Sequence, residues 1–206
     1  LPPLTDPEGT PVGAVYGYTT MLWKLADDLN KADGPTHMAV ILDKGSISFR
    51  NQIYDQYKAH RPPPPEDLIP QFPLIRDATR AFSLPCIEED NLEADDLIAS
   101  YARAATRQGW DVTIVSSDKD LMQLVGKCAP ESSNDGLGGG CIDMLDTMKN
   151  QRIDVAEVIE KFGGEKHGET LEDPISDTVA FEKARISGAV RTDFILSPEI
   201  MAISLA

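Results

Sequence analysis

Apolar positions recur at helical spacing in three stretches of the chain. Residues 13–31 carry Val15, Tyr16, Tyr18, Met21, Leu22, Leu25 and Leu29 on a repeat near 3.6. Residues 92–108 predict the strongest helix, with Leu97, Ile98, Tyr101 and Ala102 on one face and Gly109 as its stop. Residues 66–82 have the same periodicity, but Pro70 and Pro73 require a delayed start or a kink. Short apolar runs at 37–42, 85–88 and 111–116, and a weaker one at 142–145, predict strands. Residues 47–61 are amphipathic and basic, partly helical, and broken by Pro62 to Pro65. Leu121 to Val125 opens a short helix, residues 126–140 form a polar glycine-rich loop, and Asp154 is a fitting N-cap for a helix over 155–162.

Helices alternating with strands imply an α/β domain: a mostly parallel, twisted sheet flanked by helices. In such sheets ligands lie beyond the carboxyl ends of the strands. Asp43, Asp118 and Asp120 each follow a predicted strand, so they converge on that edge. Beyond Gly164 the pattern changes. Residues 165–180 are acidic and loosely patterned, and residues 186–206 regain apolar content without an evident partner.

Composition sharpens this picture in three ways. The net charge of −15 argues against bulk electrostatic attraction to nucleic acid. Yet residues 44–61 hold Lys44, Arg50, Lys58, His60 and Arg61 against Asp55 alone, so one segment is locally basic. No apolar run approaches the roughly 18 residues of a membrane span. Cys86, Cys128 and Cys141 lack CxxC spacing, which predicts reduced thiols in a cytoplasmic protein, with a Cys128–Cys141 disulfide as the lesser alternative.

Five carboxylates lie between Glu93 and Asp120: Glu93, Asp95 and Asp96 before one helix, Asp118 and Asp120 after one strand. Taken singly, each group has a plain structural reading, helix capping for the first and a solvated turn for the second. Taken together at one sheet edge, with Asp43, they suit a hard divalent cation bound by oxygen. Two such ions about 4 Å apart can activate water and neutralise a phosphodiester, so no Ser, Cys or His nucleophile is needed. His37, His60 and His167 are too scattered to form a site. Beside the acids, Phe49-Arg50 and Tyr57-Lys58-Ala59-His60-Arg61 set cations next to aromatics, a pattern that grips single-stranded or flapped nucleic acid.

Three segments carry a family resemblance: FRNQIYDQYKAHRPPPPEDLIPQF, NLEADDLIASYA and VTIVSSDKDLMQLV. They resemble the 5′-nuclease domain of bacterial DNA polymerase I, in the flap endonuclease superfamily with its PIN-like fold. The resemblance covers residues 1–163 and leaves 164–206 as a non-matching tail that can be extraneous to it. It implies that Asp43, Glu93, Asp95, Asp96, Asp118 and Asp120 are metal ligands for Mg²⁺ or Mn²⁺, two ions in intact members. It implies that Asp118 and Asp120, with Lys58 and Arg61, are catalytic. Arg50, Tyr57, Lys58 and Arg61 would bind DNA in an arch, with Lys58 and Arg61 facing phosphate. The implied activity is 5′–3′ exonuclease and flap endonuclease action in replication and repair. Implied substrates are 5′-flap or nicked duplex DNA and RNA primer–DNA hybrids, with a polymerase domain following in the full-length gene.

Two departures accompany the resemblance. The chain opens at Leu1, just after the point where the family has its first strand, so the first central strand is expected to be missing. The aspartates of residues 171–177 have the wrong spacing for the family's later ligands, and no metal role passes to Asp173 or Asp177. The tail over 182–205 is similar to part of a bacterial inner-membrane protein family of unknown function. The alternative function is therefore a catalytically impaired DNA-binding remnant or a misassembled gene product.

Overall fold

A computed structural model describes residues 4–126 and 139–162, and the backbone of 199–204. The elements in chain order are α1 (Gly13–Asp28), β1 (His37–Ile41), α2 (Phe49–Ile53), α3 (Gln71–Ala81), β2 (Cys86–Ile87), α4 (Ala94–Arg107) and β3 (Asp111–Val115). A 3₁₀ turn (Asp120–Leu124) follows, then β4 (Ile142–Asp146), β5 (Gln151–Ile153), α5 (Val155–Phe162) and β6 (Glu199–Ser204). The expected polar loop falls largely on 127–138, outside the described residues.

The prolines set the start of α3. Pro70 takes the cap position and the helix proper begins at Gln71, the delayed start the sequence required. Gly109 ends α4 with φ of +82°, a conformation glycine adopts at little cost. Asp154 caps α5 by accepting the amides of Ala156 (2.8 Å) and Glu157 (3.1 Å). One expectation fails on α4: Tyr101 lies 43% exposed, one step outside the buried face of Leu97, Ile98, Ala102 and Ala105.

The sheet has six strands in the order β2-β1-β6-β3-β4-β5. β1 and β2 pair in parallel, as do β3 and β4. β6 lies between β1 and β3 and runs antiparallel to both, and β5 is antiparallel to β4. Four strands thus share one direction and two oppose it. The central position, expected to be vacant, is filled from the C-terminal stretch.

Strand alternation sends successive side chains to opposite faces. On one face Ile41, Val112, Ile114 and Met144 meet Leu97, Ile98 and Ala102 of α4. On the other, Val40, Leu42 and Val115 meet Tyr18, Leu22 and Leu25 of α1 and Ile75 of α3. The result is an α/β/α sandwich whose shared carboxyl-terminal edge holds the ends of β1 and β3. Cys141 is disulfide-bonded and Cys86 is a free thiol, so the expectation of three reduced cysteines is corrected. The alternative bridge involved Cys128, which is outside the described residues.

Candidate active site at the sheet edge

The edge is built from two strand ends and one helix start. β1 ends at Ile41 and hands the chain to Leu42 and Asp43. β3 ends at Val115 and continues into Ser116, Ser117 and Asp118. α4 opens beside them, with Glu93 at its cap and Asp95 and Asp96 in its first turn. β6 starts at the same edge, its Glu199 backbone in register with Ile41.

Helix capping accounts for part of the acidic cluster, as its plain reading proposed. Asp43 accepts the Ala94 amide at 2.7 Å, tying the end of β1 to the first turn of α4. Asp96 accepts the Glu93 amide at 3.1 Å, closing a capping box. The positive end of the helix favours both carboxylates.

The remaining lone pairs face cations. Arg50 donates two hydrogen bonds to Asp96, at 2.6 and 2.7 Å, in fork geometry. The same guanidinium is 3.8 Å from Glu93 and stacks over Phe49 at 4.6 Å. Arg50 is only 8% exposed. Its hydrogen bonds to Asp96 push its pKa above the ordinary arginine value, against the opposing effect of burial. Glu93 accepts three further contacts at 3.0 Å each, from Ser48 Oγ, Tyr57 Oη and Lys58 Nζ. Burial first, and the Glu93 charge second, push the Tyr57 phenol pKa up. Lys58 has φ of +56°, a left-handed conformation for a side-chain-bearing residue, and its ammonium lies 5.2 Å over the Tyr57 ring. Such a backbone costs on the order of 1–3 kcal/mol and persists where surrounding contacts fix it.

Asp118 and Asp120 form a second group. The Asp118 amide donates to Ser116 Oγ at 3.0 Å, and the Asp120 amide donates to Asp118 Oδ1 at 2.8 Å. Asp118 is half-buried and Asp120 is exposed at the start of the 3₁₀ turn. The predicted turn exists, and the bond from the Asp120 amide to the Asp118 carboxylate holds the two residues together. Arg61 is exposed and joins Lys58 through its backbone amide at 3.0 Å.

The donor set, all carboxylate oxygen, suits a hard cation. Among the described residues, with Glu93 and Asp96 drawn toward Arg50 and Lys58, no three acidic, histidine or cysteine side chains converge on one point. Arg50 and Lys58 supply the positive charge that the crowded acids need.

Sequence reasoning passed over three contributors. Ser48 is 2% exposed and bonds Glu93. Asn51 accepts the Ser48 amide at 2.9 Å and donates to the Tyr57 carbonyl at 3.1 Å, fixing the turn that carries Lys58. Ser48-x-x-Asn51 is a capping-box spacing and was the available signal. Arg76 donates to the Asp43 carbonyl at 2.9 Å and pairs with Glu88 at 2.6 Å, with no local signal to mark it.

Relatives and solved structures bear on this arrangement. Residues 154–206 match a family described as "Protein of unknown function (DUF808)". DNA polymerase I of Rhizobium leguminosarum is 55% identical over 167 residues, 79% of this chain and 15% of the relative. The 5′-3′ exonuclease of Aquifex aeolicus is 34% identical over 165 residues, 80% of this chain and 51% of the relative. The chain thus spans about half, or far less, of the curated relatives it matches. Among solved structures, T5 5′-exonuclease with bound zinc aligns with a TM-score of 0.51 at 19% identity, over 70% of this chain and 51% of the other. A T5 protein co-crystallised with metal ions gives 0.52 at 17%, over 70% and 52%. These likenesses show the fold. A family model described as "5'-3' exonuclease, N-terminal resolvase-like domain" matches residues 1–163, and the chain belongs to that family.

Proposed function

We propose that this chain is part of a divalent-metal-dependent 5′–3′ exonuclease and flap endonuclease that hydrolyses phosphodiesters in DNA. The observation that supports it most is the family match over residues 1–163, which includes every residue of the acidic edge. The T5 5′-exonuclease that shares the fold carries divalent metal ions. Relatives named DNA polymerase I favour a polymerase region in the full-length protein and a cytoplasmic setting. No helix among the described residues is long and apolar enough to cross a membrane.

Arg50, Tyr57, Lys58 and Arg61 are the proposed DNA-binding residues, and Lys58, Arg61, Asp118 and Asp120 the proposed catalytic ones. Arg61, already exposed, meets phosphate first. Lys58 exchanges the Glu93 carboxylate for a phosphate oxygen, an exchange between two anionic acceptors at a half-buried cation. Asp43, Glu93, Asp95, Asp96, Asp118 and Asp120 are the proposed ligands of Mg²⁺ or Mn²⁺. Because Lys58 and Arg50 hold Glu93 and Asp96, ion binding is coupled to their release.

A 5′-flap duplex, and a nicked duplex with an RNA primer, are the substrates to offer. Cleavage that needs Mg²⁺ or Mn²⁺ and falls about 100-fold or more in Asp118→Ala supports the reading. Cleavage that is metal-independent, or unchanged in that variant, defeats it. Inward pairing of Glu93 and Asp96 with Arg50 and Lys58 favours a second reading, a DNA-binding remnant without turnover. Flap binding by well-folded protein with no product in either metal would favour it.

A further inference from the structure

We propose that the gap between β1 and β3 is a strand-accepting site, filled by this chain's own C-terminal segment Glu199–Ser204. We further infer that the rest of the sheet holds together only while that segment is seated. The inference is independent of the nuclease reading.

The topology carries it. β1 and β3 share no register with each other. All five residues of β1, His37 to Ile41, face β6 on one side, and β2 covers only Val40 and Ile41 on the other. All five residues of β3 face β6 on one side, and β4 covers the other. Among the described residues the sheet is therefore two half-sheets, β2-β1 and β3-β4-β5, whose strand pairing is continuous only through β6. Neighbouring strands lie about 4.8 Å apart, so without β6 the halves would stand roughly 9–10 Å apart, too far for backbone hydrogen bonds. The inner edges of β1 and β3 would then bury amides and carbonyls without partners, each at about 1–3 kcal/mol. Those edges cannot simply turn to water, because Val40, Ile41, Val112 and Ile114 are 0–1% exposed beneath helices on both faces.

The sequence of the segment fits the slot. Ile200-Met201-Ala202-Ile203 is an unbroken apolar run, the composition of a strand covered on both faces rather than one. α4 approaches it directly. Its direction sets it apart from its neighbours: β1 to β4 run one way, as right-handed crossovers produce, whereas β6 runs against them.

Two measurements on the full chain test this. Native-state hydrogen exchange, with light scattering to confirm a monomer, should give Ile200–Ile203 amides protection within about tenfold of Val112–Val115. Exchange of those four amides at unstructured rates, while β1 and β3 stay protected, would overturn the proposal. Protection found only in a dimer would overturn the assignment to the chain's own segment. Ala202 faces Met38 and Thr113, and every amide of a central strand is used, so Ala202→Pro removes a ladder bond and kinks the insert. It should lower Tm by about 6–12 °C or abolish the cooperative transition. An Ala202→Pro protein that melts like its parent would also overturn the proposal.

Discussion

Glu93 shows how the acidic edge is stabilised. Its carboxylate accepts from Ser48, Tyr57 and Lys58, and the Arg50 guanidinium divides itself between Glu93 and Asp96. Removing one side of a mostly buried ion pair leaves the other charge uncompensated, which is costlier than losing an exposed pair. Arg50→Ala should therefore destabilise the fold by about 2–4 kcal/mol in urea unfolding. Arg50→Lys should recover only part of this, because an ammonium cannot reproduce the fork. A second prediction follows from Tyr18, which is 4% exposed and bonded to Thr79. Burial pushes its pKa up to about 12, from an ordinary value of 10. The folded state thus keeps a proton that the unfolded chain gives up at about pH 10. The stability contributed by the neutral phenol is complete below pH 10 and is lost as pH rises toward 12. Tyr57 acts in the same direction. Denaturant midpoints between pH 9 and 12 should fall steeply in the parent and less steeply in Tyr18→Phe.

At the scale of elements, long-range side-chain bonds add to the apolar packing between helices. α1 has no side-chain cap of its own. Gln71, at the start of α3, supplies one: its Oε1 accepts the amides of Ala14 (2.7 Å) and Val15 (3.1 Å), while its Nε2 donates to the Asp67 carbonyl (2.7 Å). Gln71→Ala should cost about 1–3 kcal/mol by leaving those amides without an acceptor at a buried contact. Thermal melts should show it, and hydrogen exchange should show faster opening at Ala14 and Val15. That bond joins residues far apart in sequence and was invisible there, whereas α1, α3 and α4 themselves were legible because a helix buries one face at a 3.6 repeat. β1 and β3 were legible as short apolar runs. β5 was not, because Gln151–Ile153 is too short to alternate. β6 was not, because a four-residue apolar run cannot distinguish a central strand from a helix until its neighbours are known. The placement of the six acids, after β1 and β3 or at the opening of α4, was legible because strand ends and helix starts were. The inward turn of Arg50 and Lys58 was not, since it depends on the left-handed backbone at Lys58 and on Asn51, which no periodicity reports.

For the whole molecule, the charge balance limits how DNA can be held. A net −15 opposes bulk attraction of phosphate, and residues 44–61 are the locally basic segment. Even there much of the positive charge is committed: Lys44 pairs with Asp90, Arg50 with Asp96 and Lys58 with Glu93. Arg61 is exposed, and Lys58 can exchange partners only by leaving Glu93. The contact proposed here therefore neutralises about one to three phosphates. Each phosphate neutralised contributes roughly −0.9 to the slope of log affinity against log salt, so that slope should fall between about −1 and −3. Arg61→Gln should make it shallower by about 1, with little change in Tm, because the side chain is exposed. A slope near −6 in fluorescence anisotropy with a flap duplex would mean that DNA meets a basic surface outside residues 44–61. A slope unchanged in Arg61→Gln would remove that arginine from the phosphate contact.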